Sequence, residues 1–113
     1  MGLRRPDKKL LEIFYAALPP SAFVEHKTFA GCPCCFVNGN MFAGVRRSYM
    51  VLRLSEEDRR EFMGRYPSRV FRPFLGRQLR EYVVVPRGLL QSRGELSQWV
   101  QRAFQYAMTL PGH

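Results

Sequence analysis

The stretch Cys35-Phe36-Val37-Asn38-Gly39-Asn40-Met41-Phe42-Ala43 decides the fold class. Two apolar runs flank Asn38-Gly39, and both of those residues tolerate a positive φ, which a two-residue type I′ turn demands. The spacing therefore predicts a tight antiparallel hairpin. Downstream, Arg46-Arg47-Ser48 reads as a second turn. Tyr49 to Leu54 reads as the next strand, with Met50, Leu52 and Leu54 alternating against Tyr49, Val51 and Arg53. Upstream, Phe23 to Phe29 is a further strand candidate. Successive short links predict an antiparallel meander.

Helices flank this meander. Over residues 7–18, Leu10, Phe14, Ala17 and Leu18 share one helical face. Asp7 can cap that helix or favour its positive end, and Pro19-Pro20 stops it. Ser55-Glu56-Glu57-Asp58 opens a second helix with a cap and three acids at its positive end. Its apolar face is thin (Phe62, Met63, Tyr66), and Gly64 or Pro67 ends it. Pro67 to Arg77 is irregular, with a short strand expected at Arg69 to Arg72. Leu79 to Val85 reads as a strand, and the apolar residues on both faces at 82–85 predict a central position. Pro86 closes it and can start a short helical piece. Ser92 and Glu95 form a capping-box pattern before Leu96, Trp99, Val100, Ala103, Phe104 and Ala107, which follow the helical rule until Pro111-Gly112.

The order is thus helix, three to four strands, helix, one to two strands, helix. It predicts an α+β fold of two layers with one antiparallel sheet, residues 1–113 forming a single domain. A chain of 113 residues, 46% hydrophobic and 13% aromatic, can bury one core without staples. No apolar run approaches the ~20 residues of a membrane span, and no signal-peptide stretch follows Met1. A cytoplasmic protein with no membrane partner is the expectation. Cys32, Cys34 and Cys35, an odd and tightly grouped set, make a poor disulfide framework and fit a reducing compartment.

Several segments carry a family resemblance. Lys27-Thr28-Phe29-Ala30-Gly31 is similar to the Lys-Met-Phe-Gly-Gly that opens the first strands of TfoX/Sxy-family N-terminal domains. Phe36 to Ala43 resembles that family's hairpin, and Tyr49 to Leu54 its Leu-Tyr-Leu-Lys strand. Gly76 to Pro86 resembles its Gly-Arg-Pro-Met-Arg-Glu-Tyr-Val-Val-Val-Pro segment, and the Trp99 helix matches as well. The resemblance covers roughly residues 8–110 and departs at Cys32-Pro33-Cys34-Cys35. It implies a two-layer α+β fold and a cytoplasmic bacterial protein. Full-length members regulate natural competence and related transcription and carry a second, helical domain. The expectation here is a stand-alone N-terminal domain, since the chain ends at Leu110-Pro111-Gly112-His113.

No catalytic residue set accompanies the resemblance, and the residues themselves offer none. The two histidines are His26 and the terminal His113. A Cys–His nucleophile would have to pair His26 with a nearby cysteine, with no third orienting group visible. Gly31, Gly39 and Gly44 match neither phosphate-binding fingerprint. The expectation is a non-enzyme without cofactor or metal. Cys32, Cys34 and Cys35 read first as small buried apolar residues. Exposed beside Lys27 or arginines they would be redox thiols, and a zinc site would need a second ligand pair.

The net charge is +9, and 15 of the 18 cations are arginine. Between Phe62 and Arg80 lie Arg65, Arg69, Arg72, Arg77 and Arg80 with no acid, interleaved with Phe62, Tyr66, Phe71 and Phe74. Arginine forks suit phosphate, and aromatics stack on unpaired bases. The same pattern also describes core aromatics beside arginines that are solvated or paired with Glu56, Glu57, Asp58 and Glu61. Two functions follow as expectations. One is a non-enzymatic regulatory or protein-interaction domain with a protein partner not named by the sequence, able to act as a homodimer. The other is a nucleic-acid binder that uses the 65–80 arginines.

Overall fold

The computed structural model describes residues 6–29, 31–68 and 80–112. Helix α1 (Lys8–Ala17) precedes strands β1 (Glu25–Phe29), β2 (Cys32–Val37), β3 (Asn40–Arg46) and β4 (Tyr49–Arg53). Then come α2 (Glu56–Arg65), β5 (Tyr82–Val84), the short α3 (Arg87–Leu90) and α4 (Arg93–Thr109). The strands form one antiparallel sheet in the order β1-β2-β3-β4-β5. Helices α1 and α4 pack on it and on each other, so the fold is α+β.

The hairpin forms as the Asn-Gly pair dictates. Asn38 and Gly39 take φ of 53° and 77°, and Val37 pairs with Asn40 across the turn. The second turn needs a positive φ too, but Arg47 supplies it at 48°. Between these turns the β2–β3 register slips. Cys35 pairs with Ala43 and Phe36 with Met41, which leaves Phe42 as the extra residue of a β-bulge. The bulge turns Phe42 and Ala43 toward the same core, where both are fully buried. Phe42 meets Phe104 of α4 edge-on, with ring centroids 5.4 Å apart.

Period-two alternation sets the rest of the core. Cys35, Val37, Val45, Met50, Leu52, Leu54, Val83 and Val85 join Leu10 and Phe14 of α1, Phe62 of α2 and the apolar stripe of α4. Each fully buried phenylalanine contributes roughly 1.5–3 kcal/mol from apolar surface removed from water. On the opposite face Val51 and Val84 form a smaller cluster with Met41, Tyr49 and Tyr82.

Several local expectations need correction. The strand near residue 82 is shorter than Leu79 to Val85. It ends the described sheet rather than lying centrally, pairing with β4 alone among the described residues. Its apolar residues face two apolar clusters, one on each side of the sheet. The capping box at Ser92 does not form. The Ser92 hydroxyl reaches back to the Gly88 carbonyl of the adjoining α3 at 3.5 Å, and Glu95 accepts instead from Tyr66. Asp7 makes no side-chain cap. Pro33 sits inside β2 opposite Thr28, so it does not interrupt the pairing. The strand expected at 69–72 lies outside the described residues.

Candidate functional site

Ser55 positions α2 by accepting a hydrogen bond from the Asp58 N–H at 3.2 Å, with Glu56, Glu57 and Asp58 in the first turn. Arg65 therefore emerges at the negative end of the helix, where a cation is favoured. It pairs with Glu61 one turn back at 3.0 Å, and its guanidinium lies 5.9 Å from the Trp99 ring centre. Arg102 of α4 reaches the same carboxylate at 2.9 Å and Asp58 at 3.3 Å, and lies 4.3 Å over Trp99. The hydrogen bond from Arg102 holds the Glu61 carboxyl below its ordinary range against a smaller opposing effect of burial, with help from the charges of Arg102 and Arg65. Beneath these ions, Trp99 donates from Nε1 to the Tyr66 hydroxyl at 3.1 Å, and Tyr66 donates to Glu95. This network locks α2 to α4, so Arg65 is engaged in the fold.

Arg80 lies elsewhere. With Arg59, Arg60, Met63 and Glu56 it lines an open depression of about 460 Å³. Arg59 is anchored there by a hydrogen bond to the Leu54 carbonyl at 2.9 Å, and Arg60 pairs with Glu56 at 2.7 Å. Arg65 is not among the lining residues of that depression. Arg69, Arg72 and Arg77, with Phe71 and Phe74, lie outside the described residues. Arg59 and Arg60 escaped the sequence reading because they stand among acids on α2. A search for an acid-free run begins only after them.

The thiols are all buried and unpaired by disulfides. Cys35 turns into the helix-side core, with its Sγ 3.7 Å from His26 Nδ1. Burial, reinforced by Cys34, pushes its thiol up to about 12. Cys34 lies beside Gly44 and is also raised, by burial first and Cys32 second, against the pull of Arg46. A raised pKa depletes the thiolate that redox and nucleophilic chemistry require. Among the described residues, no three His, Cys, Asp or Glu side chains converge to hold a metal ion.

Glu81 joins β4 to α4. It takes hydrogen bonds from Arg53 at 2.8 Å and from the Tyr106 hydroxyl at 2.6 Å. Burial is the largest single influence and raises its pKa. The bonds from Tyr106 and Arg53 and the charges of Arg53 and Arg59 together outweigh it, leaving a net lowering. The carboxylate thus serves as an interelement clasp.

The remaining feature is the outer strand. All five residues of β1 are exposed, its last residue Phe29 at 57%, and Phe23 just before it is 71% exposed. Val37 and Asn40 close a two-residue hairpin, so they are mutually hydrogen-bonded. Alternation along β2 then aims the backbone groups of Phe36, Cys34 and Cys32 at β1. Their partners are Glu25, Lys27 and Phe29. His26 and Thr28 consequently turn their N–H and C=O outward. At the opposite end of the sheet, the Ser68 hydroxyl occupies the Val84 carbonyl.

The family model of the TfoX N-terminal domain matches residues 16–107, from the end of α1 to the last turns of α4. The chain belongs to the TfoX N-terminal domain family. No curated protein and no solved structure matches it. In this TfoX N-terminal domain the hairpin and the Tyr82–Val84 strand belong to one sheet, with β4 between them. The open β1 edge was missed because exposure of a strand edge depends on strand order. The visible signal was the unbroken polar run Glu25-His26-Lys27-Thr28. No helix among the described residues is long and apolar enough to cross a membrane.

Proposed function

We propose that this TfoX N-terminal domain is a non-enzymatic, cytoplasmic regulatory module of a bacterial cell that acts by docking another protein, in the transcriptional or competence setting of its family. The observation that carries the reading is β1, an exposed outer strand of the described sheet whose His26 and Thr28 backbone groups face away from β2, with Phe29 and the neighbouring Phe23 exposed. The polar side chains that chemistry would draw on are engaged in clasps between elements: Glu81 with Arg53 and Tyr106, and Glu61 with Arg102. Complementation of a deletion in the native cell tests it, with transcript levels as readout. Wild type restores the pattern, whereas Thr28→Pro, which removes an outward donor, does not, although its circular dichroism is unchanged. Turnover of a substrate that disappears on replacing one polar side chain overturns the reading.

A second reading, nucleic-acid binding, is favoured by the Arg59, Arg60 and Arg80 depression and the net charge of +9. Fluorescence anisotropy with DNA and RNA tests it. Binding should weaken with salt by a log–log slope of roughly 0.7–0.9 per phosphate neutralised. Charge reversal at Arg59, Arg60 and Arg80, and at Arg69, Arg72 and Arg77, should weaken binding. Unchanged affinity overturns this assignment.

A further inference from the structure

We infer that the partner seated on β1 is a second copy of the chain, joined strand to strand about a two-fold axis through His26. The inference rests on the docking reading above and names its occupant. An isologous antiparallel pair must place residues of the same sheet face opposite each other, so the axis has to pass through a residue. The strand allows few such registers. Centred on Glu25 or on Lys27, two like charges meet at the axis, which is destabilising. Centred on Thr28, Lys27 meets Phe29 and Glu25 runs out against the turn at Gly31.

Centred on His26, the pairing is self-complementary. Glu25 of each copy falls opposite Lys27 of the other, and Val24 opposite Thr28. The exposed Phe23 falls opposite the exposed Phe29. The outward N–H and C=O of His26 meet their own symmetry mates, and the Thr28 N–H meets the Val24 carbonyl, the Val24 N–H being held by the Ser21 carbonyl at 3.3 Å. Glu25, Lys27 and Phe29 share the sheet face that carries Phe36. Lys27 lies 4.7 Å over the Phe36 ring, and Phe29 is 6.1 Å from it. The charge pairs therefore sit beside an aromatic cluster that extends across the axis. A lone lysine on an edge strand discourages pairing. Glu25 two residues away converts it into a partner for the same strand of a second copy.

Sedimentation equilibrium of the full chain over a concentration series tests the proposal. Wild type should show a monomer–dimer equilibrium. Lys27→Glu and Glu25→Lys each replace two opposite-charge pairs with two like-charge pairs, and each should weaken dimerisation by roughly tenfold or more. The double swap E25K/K27E restores opposite charges only in the His26-centred register and should recover the dimer. A chain that stays monomeric throughout, or a dimer indifferent to both single reversals, overturns the proposal. So does a double swap that fails to rescue while circular dichroism shows a native fold. The docking reading falls separately, if Thr28→Pro complements the deletion as well as wild type does.

Discussion

Asn40 Nδ2 donates to the Pro111 carbonyl at 2.9 Å, so the residue that closes the Asn38-Gly39 hairpin also holds the C-terminal tail. Asn40 is only 3% exposed and is the buried polar residue of the described core. Asn40→Ala should lower stability by about 1 kcal/mol, the worth of one such bond. Removing residues 111–113 should cost a similar amount. The two changes should not add, because they break the same contact. Urea denaturation of the four chains of that cycle checks it.

Arg47 holds φ at 48°, a region where a side chain costs energy and glycine does not. Arg47→Gly should raise stability by about 0.5 kcal/mol, since relief of strain is partly offset by the greater freedom of glycine in the unfolded chain. The Asp7 N–H bond to the residue 47 carbonyl uses backbone only and should persist. Thermal denaturation checks the sign.

Glu81 should make stability depend on acid. Its folded pKa lies below the ordinary 4.5, so its contribution is present above that pH and is lost as pH falls through the folded value. Glu81→Gln should cost about 1 kcal/mol at neutral pH, a modest figure because the carboxylate is 37% exposed and screened. The gap between the two proteins should close in acid. Denaturant midpoints measured at pH 7 and below pH 4 report this.

Cys35 should resist thiol reagents. A rise from 9.0 to about 12 lowers its thiolate population about a thousandfold at neutral pH, and the sulfur is also shielded. Native protein should react with a chromogenic disulfide far more slowly than unfolded protein. The same shift means that stability is retained below pH 9 and lost as pH climbs toward 12. Rapid labelling of all three thiols in the folded state would contradict the burial.

Tyr66 accepts from Trp99 Nε1 and donates to Glu95. Tyr66→Phe keeps the ring against Phe62 but leaves the buried Trp99 Nε1 without its acceptor, while the exposed Glu95 turns to water, and should cost about 1 kcal/mol. Trp99 is the sole tryptophan, so its emission reads the change directly.

Local chemistry made much of this visible in sequence. Asn38-Gly39 dictates its turn because few residues accept positive φ, and alternation through Met50, Leu52 and Leu54 marks one buried face. The apolar stripe of α4 needs no tertiary information either. The bulge at Phe42 was not legible, because it reflects how β2 and β3 fit together rather than any preference of phenylalanine. The clasps of Arg102 with Glu61 and of Tyr66 with Glu95 join residues far apart in the chain. Glu95 looked like a capping residue because only local partners can be read from spacing.

The sequence by itself determined the α+β class, the meander, the buried faces of α1 and α4 and the family, since each follows from short-range periodicity, turn chemistry or motif. The tertiary structure decided which strands became edges, which charges were consumed in clasps and which stayed on the surface. Strand order and ion pairing depend on which distant segments meet, and that is settled by packing of the whole core. The same packing buried the three cysteines, divided Arg65 from Arg80 and left the backbone of His26 and Thr28 facing outward.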